Sequence, residues 1–171
     1  WCGNLVPFES AQGAGLEGQL EEIGQALTET FGLRGLNGVD FILASRGERA
    51  VPLPLEVNPR PTASLEILEA ALGKSLLPWH EAACRGELHQ LPRPRKGFWA
   101  KAVVYARREL HLGTTEGWYD RGRRDIPHDG EVIPARAPVC TVLAGGADRE
   151  ECIGALERAA GAVRRESGDE E

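Results

Sequence analysis

Apolar residues recur at Leu16, Leu20, Ile23, Leu27 and Phe31, in steps of four, three, four and four. That period places them on one face of an α-helix. Gly32 or Gly35 would end the helix. Gly18 and Gly24 lower its intrinsic propensity by up to about 1 kcal/mol each, so packing must hold it and the stripe is expected to be core. Asn37-Gly38 then turns the chain into an apolar strand over residues 39–44, and residues 45–48 read as a hairpin connection around Gly47. The second strand ends in Glu56, Asn58 and Arg60. Pro52 and Pro54 within it cannot donate to a ladder. They predict an edge position or a bulge, with pairing proper only from about Leu53. Thr62 or Ser64 can cap the next helix, whose stripe is Leu65, Leu68 and Leu72 and whose stop is Gly73. Ser75 opens another short helix with Pro78 in its first turn, ending at Gly86.

The texture changes at residues 90–96, QLPRPRK, a Pro-rich, basic connection that marks the expected boundary between units 1–90 and 91–171. Residues 97–106 run apolar as a buried strand, which residues 109–112 continue. Residues 114–129 are turn-rich and hold Trp118 and Tyr119. Gly130, Pro134 and Pro138 punctuate short strands near residues 131–133 and 139–144, the pattern of a small β-barrel or β-sandwich. Asp148 caps a last helix with Glu151 as its capping-box partner, and Cys152, Leu156, Ala159 and Val163 form its face. The tail RRESGDEE is expected to fray. At the other end, WCGNLVPF reads as a strand end and a turn, followed by a loop over residues 10–15. The fold class is therefore α+β.

Composition narrows the function. The 171 residues carry a net charge of −6 with pI near 5.3, opposite to the basic footprint of a nucleic-acid binder. No apolar run approaches about 20 residues, so no membrane-spanning helix is expected. The four cysteines, Cys2, Cys84, Cys140 and Cys152, form no CxxC and no Cys/His metal spacing. Reduced thiols and a cytoplasmic location are the expectation. The chain starts at Trp1 and contains no Met, which predicts a piece of a longer polypeptide.

The chemistry concentrates in NGVDFILASRGERAVPLPLEVNPRPTAS, residues 37–64. Asp40 is the only charged residue between Arg34 and Arg46, and an acid on an apolar strand is costly to bury unless it is paired or holds a cation. Glu56 and Asn58 are two apart, on one face of a strand. Two carboxylates and an amide oxygen make a hard set suited to Mg²⁺ that also touches phosphates. Arg60 offers a planar fork for a carboxylate or phosphate. His80 and Cys84, four apart on a helix, make a poor metal pair with no other ligands near.

GVDFI followed by LEVNPR resembles the metal-binding end of the ATP-grasp superfamily, and NPRPTASLE is similar to the branch of biotin carboxylase and the carboxyaminoimidazole ribonucleotide synthases. Within that branch, predicted ATP-dependent carboligases look most alike. The resemblance implies the C-terminal part of an ATP-grasp catalytic domain over residues 1–90 and a small β-rich unit with a terminal helix over residues 91–171. It implies ATP and Mg²⁺ (or Mn²⁺) as cofactors, with Asp40, Glu56 and Asn58 as metal ligands and Arg60 as the clamp on substrate or phosphate. Asn4 and His80 are candidate substrate contacts. The implied partners are a small carboxylate and an amine, or bicarbonate, with a homodimer as a candidate assembly. The implied reaction is activation of a carboxylate as an acyl phosphate. Carboxylation with bicarbonate and a non-catalytic ATP-grasp-derived binding module are the alternatives. The stretch between Asp40 and Glu56 is longer than the family pattern. No glycine-rich phosphate loop is present, and Lys74, Lys96 and Lys101 follow the metal motif, so these residues alone are expected not to turn over ATP.

Overall fold

The computed structural model describes residues 2–9, 15–47 and 49–169. In chain order the elements are β1 (Gly3–Val6), α1 (Leu16–Phe31), β2 (Gly38–Arg46), β3 (Arg49–Asn58), α2 (Leu65–Leu72) and α3 (Leu77–Cys84). They continue with β4 (Phe98–Tyr105), β5 (Leu110–His111), β6 (Arg123–Arg124), β7 (Val132–Ile133), β8 (Pro138–Gly146) and α4 (Arg149–Glu166). All strand pairings are antiparallel. Contacts divide the chain into two units, Phe8–Pro94 and Trp1–Pro7 with Arg95–Glu171. The break in contacts follows Pro94, where the sequence expectation put the boundary after residue 90. β1 joins the C-terminal unit, which the sequence did not foretell, because its partner β4 lies far along the chain. The expected loop over residues 10–15 lies, apart from Gly15, outside the described residues.

In the unit Phe8–Pro94, α1 spans the predicted stripe and stops at Gly32, whose left-handed φ of 60° suits glycine. The stripe is only partly covered. Leu16 is buried, Leu20, Ile23 and Leu27 are half-buried, and Phe31 is 64% exposed. A two-stranded hairpin is too narrow to cover a helix of 16 residues. β2 and β3 pair from Arg46↔Arg49 to Gly38↔Asn58 with one irregularity, between Asp40 and Phe41. Leu55 is the extra residue. The bulge was expected, but pairing begins at Arg49 rather than near Leu53. Pro52 and Pro54 stand within the paired strand, opposite Leu43 and Phe41. Two residues apart, their nitrogens point to the same outer edge of β3, where no ladder bond is lost. α2 ends at the left-handed Gly73, and α3 carries Pro78 in its first turn.

The other unit is a four-stranded sheet in the order β1-β4-β8-β6, with β5 and β7 as a separate ribbon. Residues 109–112 thus do not extend β4. α4 packs on the sheet through the predicted face, with Cys152 and Val163 fully buried and Leu156 and Ala159 against the core. That core gathers Val104, Leu110, Trp118, Ile133, Cys140 and Val142. The Asp148 side chain accepts the Glu151 amide at 2.8 Å, and Glu151 accepts the Ala147 amide at 2.7 Å, a reciprocal cap.

The tail does not fray before Asp169. Its carboxylate is 2% exposed and accepts the Arg107 amide at 3.1 and 3.2 Å and Arg164 Nη1 at 3.0 Å. Burial without such partners would be costly. Among the described residues no helix is long and apolar enough to cross a membrane.

Candidate metal and nucleotide site

Asp40 and Glu56 are direct partners across the hairpin. Directly opposed residues of an antiparallel pair project to the same face, with Cβ atoms about 5 Å apart. Asn58, two residues beyond Glu56, shares that face and lies opposite Gly38. The three donors named from the sequence are therefore brought together. The bulge makes this possible: the extra residue at Leu55 takes up the odd spacing of the longer intervening stretch and returns Glu56 to the face of Asp40. The next pair on this face is Ile42↔Leu53, 51% and 39% exposed. Sequence patterning missed this apolar surface beside the acids, because both residues read as ordinary strand core.

The acids themselves are solvent-exposed, and Asn58 is half-buried. The burial argument for Asp40 is thus replaced by another. Two carboxylates directly opposite each other repel, and a cation between them removes the repulsion. Among the described residues no three His, Cys, Asp or Glu side chains cluster to hold a metal. The set has two such acids, and its third donor is an amide. A site with so few protein ligands fits Mg²⁺, which keeps waters and takes substrate phosphates as its remaining ligands. It does not fit a closed structural metal site, which needs a full protein shell.

Arg60 follows in the turn after β3. Its backbone amide donates to the Asn58 carbonyl at 2.7 Å. Its guanidinium makes two long bonds, Nη2 to Asn58 Oδ1 at 3.4 Å and Nη1 to the Pro61 carbonyl at 3.2 Å. Both leave it exposed and easily redirected toward an anion. The turn folds back on β2: a Cβ at Gly38 would fall against the Thr62 methyl, so glycine is needed there.

The two candidate substrate contacts are on other elements. Asn4 is on β1, opposite Lys101 of β4, in the unit that does not hold Asp40. His80, on α3, is half-buried, and its Nδ1 accepts the backbone amide of Leu36 at 2.9 Å.

Residues 1–64 match the family model described as the ATP-grasp domain. An uncharacterized protein of Methanocaldococcus jannaschii is 25% identical over 144 residues, 84% of this chain and 33% of that protein. N5-carboxyaminoimidazole ribonucleotide synthetase from Thermotoga maritima superposes with TM-score 0.65 at 16% identity, over 93% of this chain and 44% of that one. Phosphoribosylamine–glycine ligase from the same organism gives TM-score 0.65 at 19% identity, over 93% and 42%. The chain thus spans a third of this curated relative and under half of these two solved structures. At such identities the superpositions establish the fold, and the mixed helix and antiparallel-sheet class expected from the sequence is the one found.

Proposed function

We propose that the chain supplies the metal-binding half of a Mg²⁺-ATP-dependent ligase, which activates a carboxylate as an acyl phosphate for attack by an amine or another nucleophile. The observation that carries this reading is the facing pair Asp40↔Glu56, two exposed like charges in register, with Asn58 on the same face. An arrangement that weakens its own hairpin is accounted for by a ligand of opposite charge. The match of residues 1–64 to the ATP-grasp domain model supports ATP-dependent ligation in general.

Asp40 and Glu56 would hold the metal, and Asn58 Oδ1 would complete the protein's share of its shell. When bound, the ion neutralises phosphate charge and helps align the γ-phosphate. Ile42 and Leu53 present apolar surface for the nucleotide base next to the acids. Arg60, released from its long bonds, pairs with the acyl phosphate or the acceptor carboxylate. A carboxylate oxygen bonds to the γ-phosphorus while the bond to ADP breaks. The nucleophile then bonds to the carbonyl carbon and phosphate leaves. The residues act by positioning and charge, without a covalent enzyme intermediate.

The name of one fold neighbour is a carboxyamino-compound synthetase, and that of the other an amine–glycine ligase. Bicarbonate as the acid, giving carboxylation, is therefore the second reading of the same site. A Mn²⁺ or Mg²⁺ titration of the parent against Asp40→Asn and Glu56→Gln tests the metal reading. Each substitution is expected to weaken binding by at least about tenfold, roughly 1.4 kcal/mol. Equal binding by parent and variants overturns the reading in favour of a non-catalytic module. ATP turnover by the natural polypeptide, with a panel of acids and amines and with bicarbonate, then separates ligation from carboxylation.

A further inference from the structure

The register that brings Asp40 opposite Glu56 is not secured by the hairpin tip. The tip fixes the pairs from Arg46↔Arg49 to Phe41↔Pro54, but the bulge at Leu55 separates these from the site pairs. A one-residue slip turns a side chain to the other face of a strand, so register is strongly specified where one face is buried, and at the site end the opposite face, Val39 and Val57, is only half-buried. The site face carries exposed Asp40, Ile42, Leu53 and Glu56. The site end of the hairpin needs an anchor of its own.

That anchor is visible where β2 begins. The Leu36 amide donates to His80 Nδ1 at 2.9 Å, two residues before the first paired residue, Gly38. With Nδ1 accepting, the proton resides on Nε2, which faces Cys84 Sγ at 3.8 Å. Gly35 lies against the imidazole and the Cys84 sulfur so closely that a Cβ has no room, and its φ of 71° also calls for glycine. The Asn37 side chain closes the same turn, donating to the Gly35 carbonyl at 2.9 Å and the Arg34 carbonyl at 3.3 Å. Behind His80, α3 is tied to α2 by Glu69, which accepts the Leu76 amide at 2.7 Å and the Ser75 hydroxyl at 2.9 Å.

We propose that His80 is the positioning residue of the Asp40–Glu56 pair. By accepting the Leu36 amide at Nδ1, it sets the point where β2 enters the hairpin, and so the register of the site pairs beyond the bulge. Its part in function rests on the metal-site reading above; its part in the strand register does not.

The test compares His80→Ala, His80→Asn and His80→Gln with the parent. The Asn side chain offers an oxygen near the position of Nδ1, whereas Gln carries its amide to the region of Nε2. Amide hydrogen exchange is read residue by residue, together with Mn²⁺ affinity. In His80→Ala, exchange at Leu36 and at residues 39–41 is expected to rise about fivefold to tenfold, the worth of one hydrogen bond. Residues 42–45, on the tip side of the bulge, should not change. Mn²⁺ affinity should fall by a similar factor, and His80→Asn should restore both where His80→Gln does not.

Unchanged exchange at residues 39–41 overturns the proposal. So does a uniform rise across the unit, the sign of a merely structural role, or an Asn variant no better than the Gln variant. If His80→Ala does not fold, the contrast between Asn and Gln decides the question alone. Absence of Mn²⁺ binding in the parent overturns the metal reading, and the exchange measurements still decide the role of His80 in register.

Discussion

The two units put their apolar surface to different use. In the unit built on β4, β8 and α4, a core of large side chains turns inward, with Trp118 3% exposed, Val142 1% and Val163 0%, while Tyr119 and Val132 stay exposed. Even its charged groups are folded in, as Arg123 and Asp169 show. In the unit Phe8–Pro94, Phe31, Ile42, Leu53, Leu55 and Leu68 are exposed. Its two-stranded sheet is of a kind that is marginal without a partner layer. The candidate chemistry sits on this second, less consolidated unit. A region that invests its apolar surface in its own core becomes a scaffold, and one that leaves it beside charged groups is suited to a ligand.

The sharpest way to break this contrast is to truncate one large apolar residue in each unit. Trp118→Ala should cost about 3–5 kcal/mol, because the ring lies in the core under Arg123. Leu55→Ala, at the 65%-exposed bulge residue, should stay within about 0.5 kcal/mol. Urea unfolding followed by probes in each unit measures both, since the two units need not melt together. Comparable costs at the two positions would erase the distinction.

A smaller effect, on the order of 2 kcal/mol, is expected from Glu166→Gln. Arg123, 3% exposed, stacks over Trp118 at 4.4 Å and donates to both Glu166 oxygens at 2.7 and 2.6 Å. The variant leaves a buried guanidinium without its counter-charge. Those hydrogen bonds, against a smaller opposing effect of burial, hold the Glu166 carboxyl below its ordinary value of 4.5. A carboxylate whose folded pKa is depressed contributes stability that is complete above the ordinary value and is lost as pH falls through the lowered one. Acid titration of the unfolding midpoint should show that loss in the parent and a flatter limb in Glu166→Gln. Equal slopes would remove Glu166 from the account.

Sequence patterning read local structure well wherever period and punctuation acted alone. The α1 and α4 faces, the Gly32 and Gly73 stops, the Asp148 cap and the hairpin around Gly47 all follow from near neighbours. The shared face of Glu56 and Asn58 follows from their spacing too, and the hairpin register agrees with it. What it could not read depends on distant partners. The place of β1 is set by β4, some hundred residues away. β6 has only two residues and no apolar period. The anchoring of Asp169 depends on the Arg107 amide and on Arg164. Pro52 and Pro54 suggested a late start to pairing, because proline removes a donor; that the donor would face an unpaired edge is a property of the sheet. The exposure of Phe31 and Ile42 was hidden for a similar reason. An apolar period tells which face could be covered, and the width of the neighbouring sheet decides whether it is.

The smallest effect also gives the most direct test of why the acids face each other. If Asp40 and Glu56 are held together for a cation, then without one they repel, and the hairpin is weaker for it. Asp40→Asn should therefore leave the metal-free chain no less stable, or raise its stability by about 0.2–1 kcal/mol. The gain should shrink as salt screens the exposed charges. The same variant should forfeit the added stability that saturating Mn²⁺ gives the parent, since an ion that binds only the folded state stabilises by its binding free energy. Thermal unfolding of both chains, with EDTA and with Mn²⁺, reads the two signs in one experiment. A variant less stable than the parent in EDTA would show that Asp40 supports the hairpin through contacts of its own. The facing carboxylates would then be a structural pair, with no cation needed to explain them.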